Sequence, residues 1–168
     1  AKYNQRTDNF TGYISEDTSF GRPACNEIIS LMESSQGVLW AGTWYGGLAR
    51  FNKETGQFRY YFGEGDTLTI PRIRTLFQRT ANSFYLGSDD GLYTFNTTTG
   101  ECLPTDDEQN KESIYACYQD REGGIWIGTY FSGVSYLSPK HKDIEWYYPN
   151  GTENSLSGNV ISQFCEDP

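Results

Sequence analysis

Residues that commonly carry chemistry are scarce in this sequence. It has one histidine, His141, and one methionine, and its four cysteines (Cys25, Cys102, Cys117 and Cys165) stand far apart with no CxxC pair. A structural zinc site needs clustered nitrogen or sulfur ligands, and this spacing does not offer them. The cysteines read instead as small apolar residues at buried positions, with disulfides the less favoured alternative, and they specify no redox compartment. No run approaches the ~20 apolar residues of a membrane-spanning helix. The opening Ala1-Lys2-Tyr3-Asn4 lacks the shape of a signal peptide. A P-loop, an HExxH helix, a GxSxG elbow and a glycine-rich dinucleotide fingerprint are all missing, and no cofactor or metal is expected. Positive charge is also short: 13 Lys and Arg against 22 Asp and Glu leave a net charge of −9. Phosphate would be repelled, which argues against contact with nucleic acid or an anionic membrane surface. The plain use of the charge is solubility.

What the chain does have is rings and glycines: aromatics make up 16% of it, with 13 Tyr, beside 18 Gly. Such a composition favours short strands joined by tight turns. The decisive feature is an internal repeat. Leu39-Trp40-Ala41-Gly42-Thr43, Phe84-Tyr85-Leu86-Gly87-Ser88 and Ile125-Trp126-Ile127-Gly128-Thr129 each read apolar, aromatic, apolar, Gly, hydroxyl. The flanks follow in register. Gly37, Asn82 and Gly123 stand three residues before the aromatic. Gly47-Leu48, Gly91-Leu92 and Gly133-Val134 come after it, and Ile28-x-x-Leu31, Ile73-x-x-Leu76 and Ile114-x-x-Cys117 lie upstream.

Each repeat reads as four short strands, in the first case about Ile28–Glu33, Leu39–Thr43, Leu48–Phe51 and Gln57–Tyr61. Four antiparallel strands in ~40–45 residues make one blade of a β-propeller. The second strand is apolar on both faces, as expected of a sheet held between two others. Its glycine, two residues after the aromatic, leaves room for close approach of the next sheet. Asn9-Phe10-Thr11-Gly12-Tyr13 resembles a fourth strand, and 159–167 resembles a first. The expectation is an all-β propeller fragment of about three four-stranded antiparallel blades with partial blades at both ends. Residues 1–24 would finish a preceding blade, 25–70, 71–111 and 112–158 would form the three blades, and 159–168 would open another. Open blade faces favour self-association or cover by flanking blades.

These residues carry a family resemblance. Asp120-Arg121-Glu122-Gly123-Gly124-Ile125-Trp126-Ile127-Gly128-Thr129, continuing to Gly133-Val134, is similar to the two-component regulator propeller repeat. Gly37–Leu48 follows the same pattern, and Asn154–Ile161 resembles the family's lead-in to a fresh blade. The second repeat departs, with Tyr85 for Trp, Asn82 for Gly and Ser88 for Thr. The resemblance implies the extracytoplasmic, periplasmic sensor region of a hybrid two-component protein. Its parent would carry a membrane span and a histidine kinase and respond to polysaccharide fragments.

Chain reversal places the links between second and third strands on the same face as the connectors between blades. That face collects Trp44, Tyr45, Asp89, Asp90, Tyr130 and Phe131, with Arg72 and Arg74 reaching it from the second blade. Aromatic faces beside polar groups suit an oligosaccharide, and the arginines could pair with an acidic sugar's carboxylate or sulfate. The bland alternatives are packing against a partner for the aromatics and a solvated edge for the arginines. Trp40, Gly42, Tyr85, Gly87, Trp126 and Gly128 are read as structural repeat positions.

No catalytic residue is assigned. His141 lies in a hairpin between Lys140 and Lys142, Asp89-Asp90 and Asp106-Asp107-Glu108 have no defined separation, and the sialidase Asp box is absent. The competing readings are a structural or self-association module and, third, a propeller lyase.

Overall fold

Turns of one kind join the third and fourth strands of the first two repeats. In the sequence Asn52-Lys53-Glu54-Thr55-Gly56, the Asn52 Oδ1 accepts from the Glu54 and Thr55 backbone N–H groups at 2.9 and 3.1 Å. Asn96 does the same for Thr98 and Thr99 at 2.9 and 3.2 Å. Gly56 follows with φ +72°, a left-handed conformation that carries no penalty without a Cβ. The computed structural model describes residues 1–14, 26–63, 66–105, 111–140, 144–165 and 167, and fourteen strands lie among them.

Three sheets result, each a four-stranded antiparallel meander in chain order. The first contains β3 (Ile28–Glu33), β4 (Leu39–Thr43), β5 (Leu48–Phe51) and β6 (Phe58–Tyr61). The second contains β7 (Thr75–Thr80), β8 (Ser83–Ser88), β9 (Gly91–Asn96) and β10 (Cys102–Pro104). The third contains β11 (Ile114–Gln119), β12 (Ile125–Thr129), β13 (Val134–Leu137) and β14 (Ile144–Tyr147). At the N-terminus β1 (Lys2–Asn4) and β2 (Asn9–Thr11) form a separate hairpin.

The sheets pack face to face through the repeated columns. Between the first two, Trp40 meets Phe84 and Phe95 edge-on at ring separations of 5.2 and 5.8 Å, and Phe62 meets Phe95 at 5.2 Å. Leu48, Ile70, Ile73 and Leu86 complete that core. Between the second and third, Tyr85 and Leu92 pack on Ile114, Ile125 and Ile127. Each such side chain withdrawn from water contributes about 1.5–3 kcal/mol.

The glycine column sets how near the sheets come. A Cβ on Gly42 would stand 2.2 Å from the Ile73 carbonyl oxygen, one on Gly87 2.7 Å from Ile114 Cγ2, and one on Gly128 2.7 Å from Ile161 Cγ2. The isoleucine that opens each following unit therefore presses on the glycine of the unit before it.

Three expectations need correction. The aromatic column is not equally covered: Trp40 and Tyr85 are buried, but Trp126 is half-buried, its face open beside Trp146, Tyr147 and Leu156. The described residues of 159–168 form no strand. They make no ladder pairing, and Ile161 donates its N–H to the Thr129 carbonyl at 2.9 Å. Of the cysteines, Cys165 is exposed, while Cys102 and Cys117 are half-buried, and no disulfide joins them among the described residues. Burial pushes the Cys102 and Cys117 thiols up to about 12. Cys25 lies outside the described residues.

Candidate functional site

The hydroxyl that ends each second strand fixes the loop that follows it. Thr43 Oγ1 donates to the Gly47 carbonyl at 2.8 Å, Ser88 Oγ to Gly91 at 3.1 Å and Thr129 Oγ1 to Gly133 at 3.0 Å, all three hydroxyl residues being fully buried. These turns share one end of the sheets with the segments that pass from one sheet to the next. The segment entering β7 is held by both neighbours. Arg72 and Ile73 donate backbone N–H groups to the Trp44 and Thr43 carbonyls at 3.2 and 3.1 Å, and Arg74 donates to Gly87 at 2.8 Å. Arg72 has φ +50°, which is uncommon for a residue with a side chain and costs about 1–2 kcal/mol.

A row of rings and guanidinium groups runs across all three sheets at this end. The Arg72 guanidinium lies 4.8 Å from the Trp44 ring centre. Arg74 lies between two rings, 5.5 Å from Trp44 and 4.2 Å from Tyr115. Tyr115 in turn stacks on Tyr130 at 5.0 Å, and Tyr130 meets Phe131 edge-on at 4.5 Å. At the other end Tyr45 stands edge-on to Trp44 at 6.2 Å. Stacking on a ring face suits a guanidinium, whose weakly hydrated plane keeps its edge free for hydrogen bonds.

Asp89 joins the two arginines. Its Oδ2 accepts from Arg72 Nη1 at 2.6 Å and its Oδ1 from Arg74 Nε at 2.5 Å, with Ser113 Oγ donating to Oδ1 at 3.3 Å. Partial burial pushes the Asp89 carboxyl up, but the hydrogen bonds and charges of Arg74 and Arg72 outweigh it and hold the group below its ordinary value. The Asp89 hydrogen bond raises Arg72, with Tyr45 a further hydrogen-bond partner.

Seven of the eight sequence-selected residues, Trp44, Tyr45, Arg72, Arg74, Asp89, Tyr130 and Phe131, therefore lie along this row, in different conditions. Trp44 and Tyr130 are already stacked within it. Tyr45 and Phe131 present rings that are 60% and 67% exposed. Asp90 is not part of it: it accepts from Ser88 Oγ and from the Tyr93 hydroxyl and so closes its own turn. Sequence reading missed Tyr115 and Ser113. A signal was present, since Tyr115 follows Ile114 as Arg74 follows Ile73.

At the opposite end the hairpins bond to each other, as Gln36 Nε2 does to Asn82 Oδ1 at 3.2 Å. Asp106, Asp107, Glu108 and His141 lie outside the described residues. Among the described residues no cluster of His, Cys, Asp and Glu could hold a metal, and no helix is long and apolar enough to cross a membrane.

The profile of the two-component regulator propeller family matches residues 23–45 and 108–131. These two stretches are similar to the two-component regulator propeller repeat. The two matched stretches each run into a second strand, including Trp40 in the first and Trp126 in the second. The intervening repeat, with its Tyr85, has the same four-stranded form without a match.

Solved structures show the same architecture. The extracellular domain of BT4673 from B. thetaiotaomicron superposes with a TM-score of 0.74 at 21% identity over 95% of this chain and 21% of its own. A second structure of BT4673, which assigns it to a hybrid two-component system where the first names a one-component system, gives 0.73 at 20% identity with the same coverage. The extracellular domain of BT3049 from that organism, likewise assigned to a hybrid two-component system, gives 0.61 at 18% identity over 98% of this chain and 27% of its own. The propeller repeats here thus span about a fifth to a quarter of those chains. No curated protein sequence matches this one.

Proposed function

We propose that these repeats form part of the periplasmic sensor propeller of a hybrid two-component signalling protein, and that the end of the sheets carrying Trp44 to Phe131 binds a carbohydrate fragment. The role on this reading is recognition, not catalysis, and the kinase would lie elsewhere in the parent. The repeat family and the extracellular domains that share the fold support the setting. The observation that carries the ligand reading is the pair of exposed rings, Tyr45 and Phe131, standing at the two ends of a row fixed by three sheets. Exposed rings at a rigid site can cover the apolar faces of sugars while neighbouring polar groups meet their hydroxyls.

Calorimetric titration with a panel of neutral and acidic oligosaccharides tests the proposal. Binding is expected, with Tyr45→Ala and Phe131→Ala each weakening it roughly tenfold, the equivalent of about 1.4 kcal/mol of stacking. Silence across the panel, or affinity indifferent to both substitutions, removes this reading. The alternative then stands: a self-association module using the open face beside Trp126, which light scattering would show as a concentration-dependent dimer.

A further inference from the structure

Among the described residues, the two arginines at this site share a single carboxylate. Two guanidinium groups contact one carboxylate, Asp89, so among the described residues the group carries one positive charge in excess, in a chain of net −9. The other described carboxylates nearby are engaged elsewhere: Glu112 accepts from Ser132 Oγ at 2.5 Å, and Asp90 accepts from Ser88 and Tyr93.

The hydrogen bonds of Arg74 are equally uneven. Its side chain is 15% exposed and Asp89 uses Nε alone; the two terminal amino groups bond nothing among the described residues and are not among the fully buried, unbonded polar atoms. A guanidinium has five N–H donors in a rigid fork, and donors that reach solvent from a fixed plane are open to a ligand. Trp44 and Tyr115 hold the plane of this fork and Asp89 fixes its Nε side. What is left is a pre-oriented pair of donors of the kind that recognises an oxyanion.

We infer that the terminal amino groups of Arg74, with the remaining donors of Arg72, bind an anionic substituent of the ligand, a carboxylate or a sulfate, while flanking rings of the same ligand lie on Tyr45 and Phe131. The inference rests on the carbohydrate reading and narrows it to charged chains. Asp89 acts in it as a positioning residue, orienting both arginines without touching the ligand.

The test is calorimetric titration of the protein at low ionic strength, first with sodium sulfate, then with sulfated, uronate-containing and neutral oligosaccharides of equal length. Sulfate is expected to bind weakly, and at least one charged chain to bind tenfold or more tightly than the neutral chain. Whichever charged chain is tighter identifies the source of the anion. Arg74→Gln is expected to abolish sulfate binding and the preference for charge, and Arg74→Lys to restore only part, since it returns the charge without the fork.

A neutral chain binding as tightly as the charged ones overturns the inference and leaves the carbohydrate reading intact. Sulfate binding that depends on Arg74, with no oligosaccharide bound, does the reverse. Because Arg74 is packed between rings, Arg72→Gln on the more exposed partner provides a second arm. Unchanged sulfate affinity in that folded variant also overturns the inference.

Discussion

A methyl group at Gly42 has nowhere to go: its nearest neighbours would be the Ile73 carbonyl at 2.2 Å and Ser30 Oγ at 2.3 Å, which are hydrogen-bonded to each other at 3.0 Å. The first contact is backbone of the next sheet, which cannot swing aside as a side chain would. Gly42→Ala is therefore expected to cost about 1–3 kcal/mol, while Gly12→Ala, where nothing lies within 4 Å, should stay within about 0.5 kcal/mol of wild type. Urea denaturation midpoints of the two variants decide it, and equal midpoints would show that the sheets do not approach as described.

Asp89 gives a second expectation at this scale. Its folded-state value lies below the ordinary 3.8, so its ionised form stabilises the fold above about pH 4, and that contribution is lost as pH falls through the lower folded value. Asp120, depressed chiefly by the hydrogen bond from the Trp126 indole N–H at 2.9 Å, acts in the same direction. Asp89→Asn should accordingly flatten, without abolishing, the fall in melting temperature between pH 4 and 2. A variant curve parallel to wild type through that interval would mean that the arginine contacts contribute nothing.

At the scale of the element, most of each sheet was legible because its columns recur. The apolar-aromatic-apolar-Gly-hydroxyl run located β4 and β12 to the residue and β8 all but its first residue, Ser83, and the glycines after it located their turns. The hydroxyl itself was legible as a position but not as a role, because its acceptor, the carbonyl of Gly47, Gly91 or Gly133, is defined only once the turn has closed. The hairpin β1–β2 was half read. Asn9–Thr11 was recognised as a strand, but Lys2–Asn4 was not, although Asn4-Gln5-Arg6-Thr7-Asp8 repeats the Asn-x-x-Thr-Gly turn with Asp8 at φ +50° where glycine stands elsewhere. The side-chain amide of that turn is the active part: Asn96→Ala removes the acceptor for Thr98 and Thr99 and should cost about 0.5–1.5 kcal/mol. Amide exchange at Thr98 and Thr99 should quicken while that of β8 stays slow. Uniform exchange across the sheet would show that the turn is held by something else.

Across the whole molecule, the site was legible in its address and not in its wiring. Chain reversal alone gathers Trp44, Arg72, Asp89 and Tyr130 at one end. That Arg74 slots between Trp44 and Tyr115 depends on how far adjacent sheets are rotated and offset, which no single repeat encodes. The same nearest-neighbour construction governs stability, since each sheet buries its faces only against the sheets beside it. Phe95 lies inside such an interface, with Trp40, Tyr61, Phe62 and Phe84 all within 6.3 Å of its ring centre, whereas Trp126 is half-buried beside Tyr136 and Tyr147 on an open face. Phe95→Ala should thus cost about 3–5 kcal/mol, and Trp126→Ala less than half of that despite removing the larger ring and its bond to Asp120. Comparable losses for the two, measured by denaturant unfolding of the dilute protein, would mean that the face of the third sheet is covered in solution.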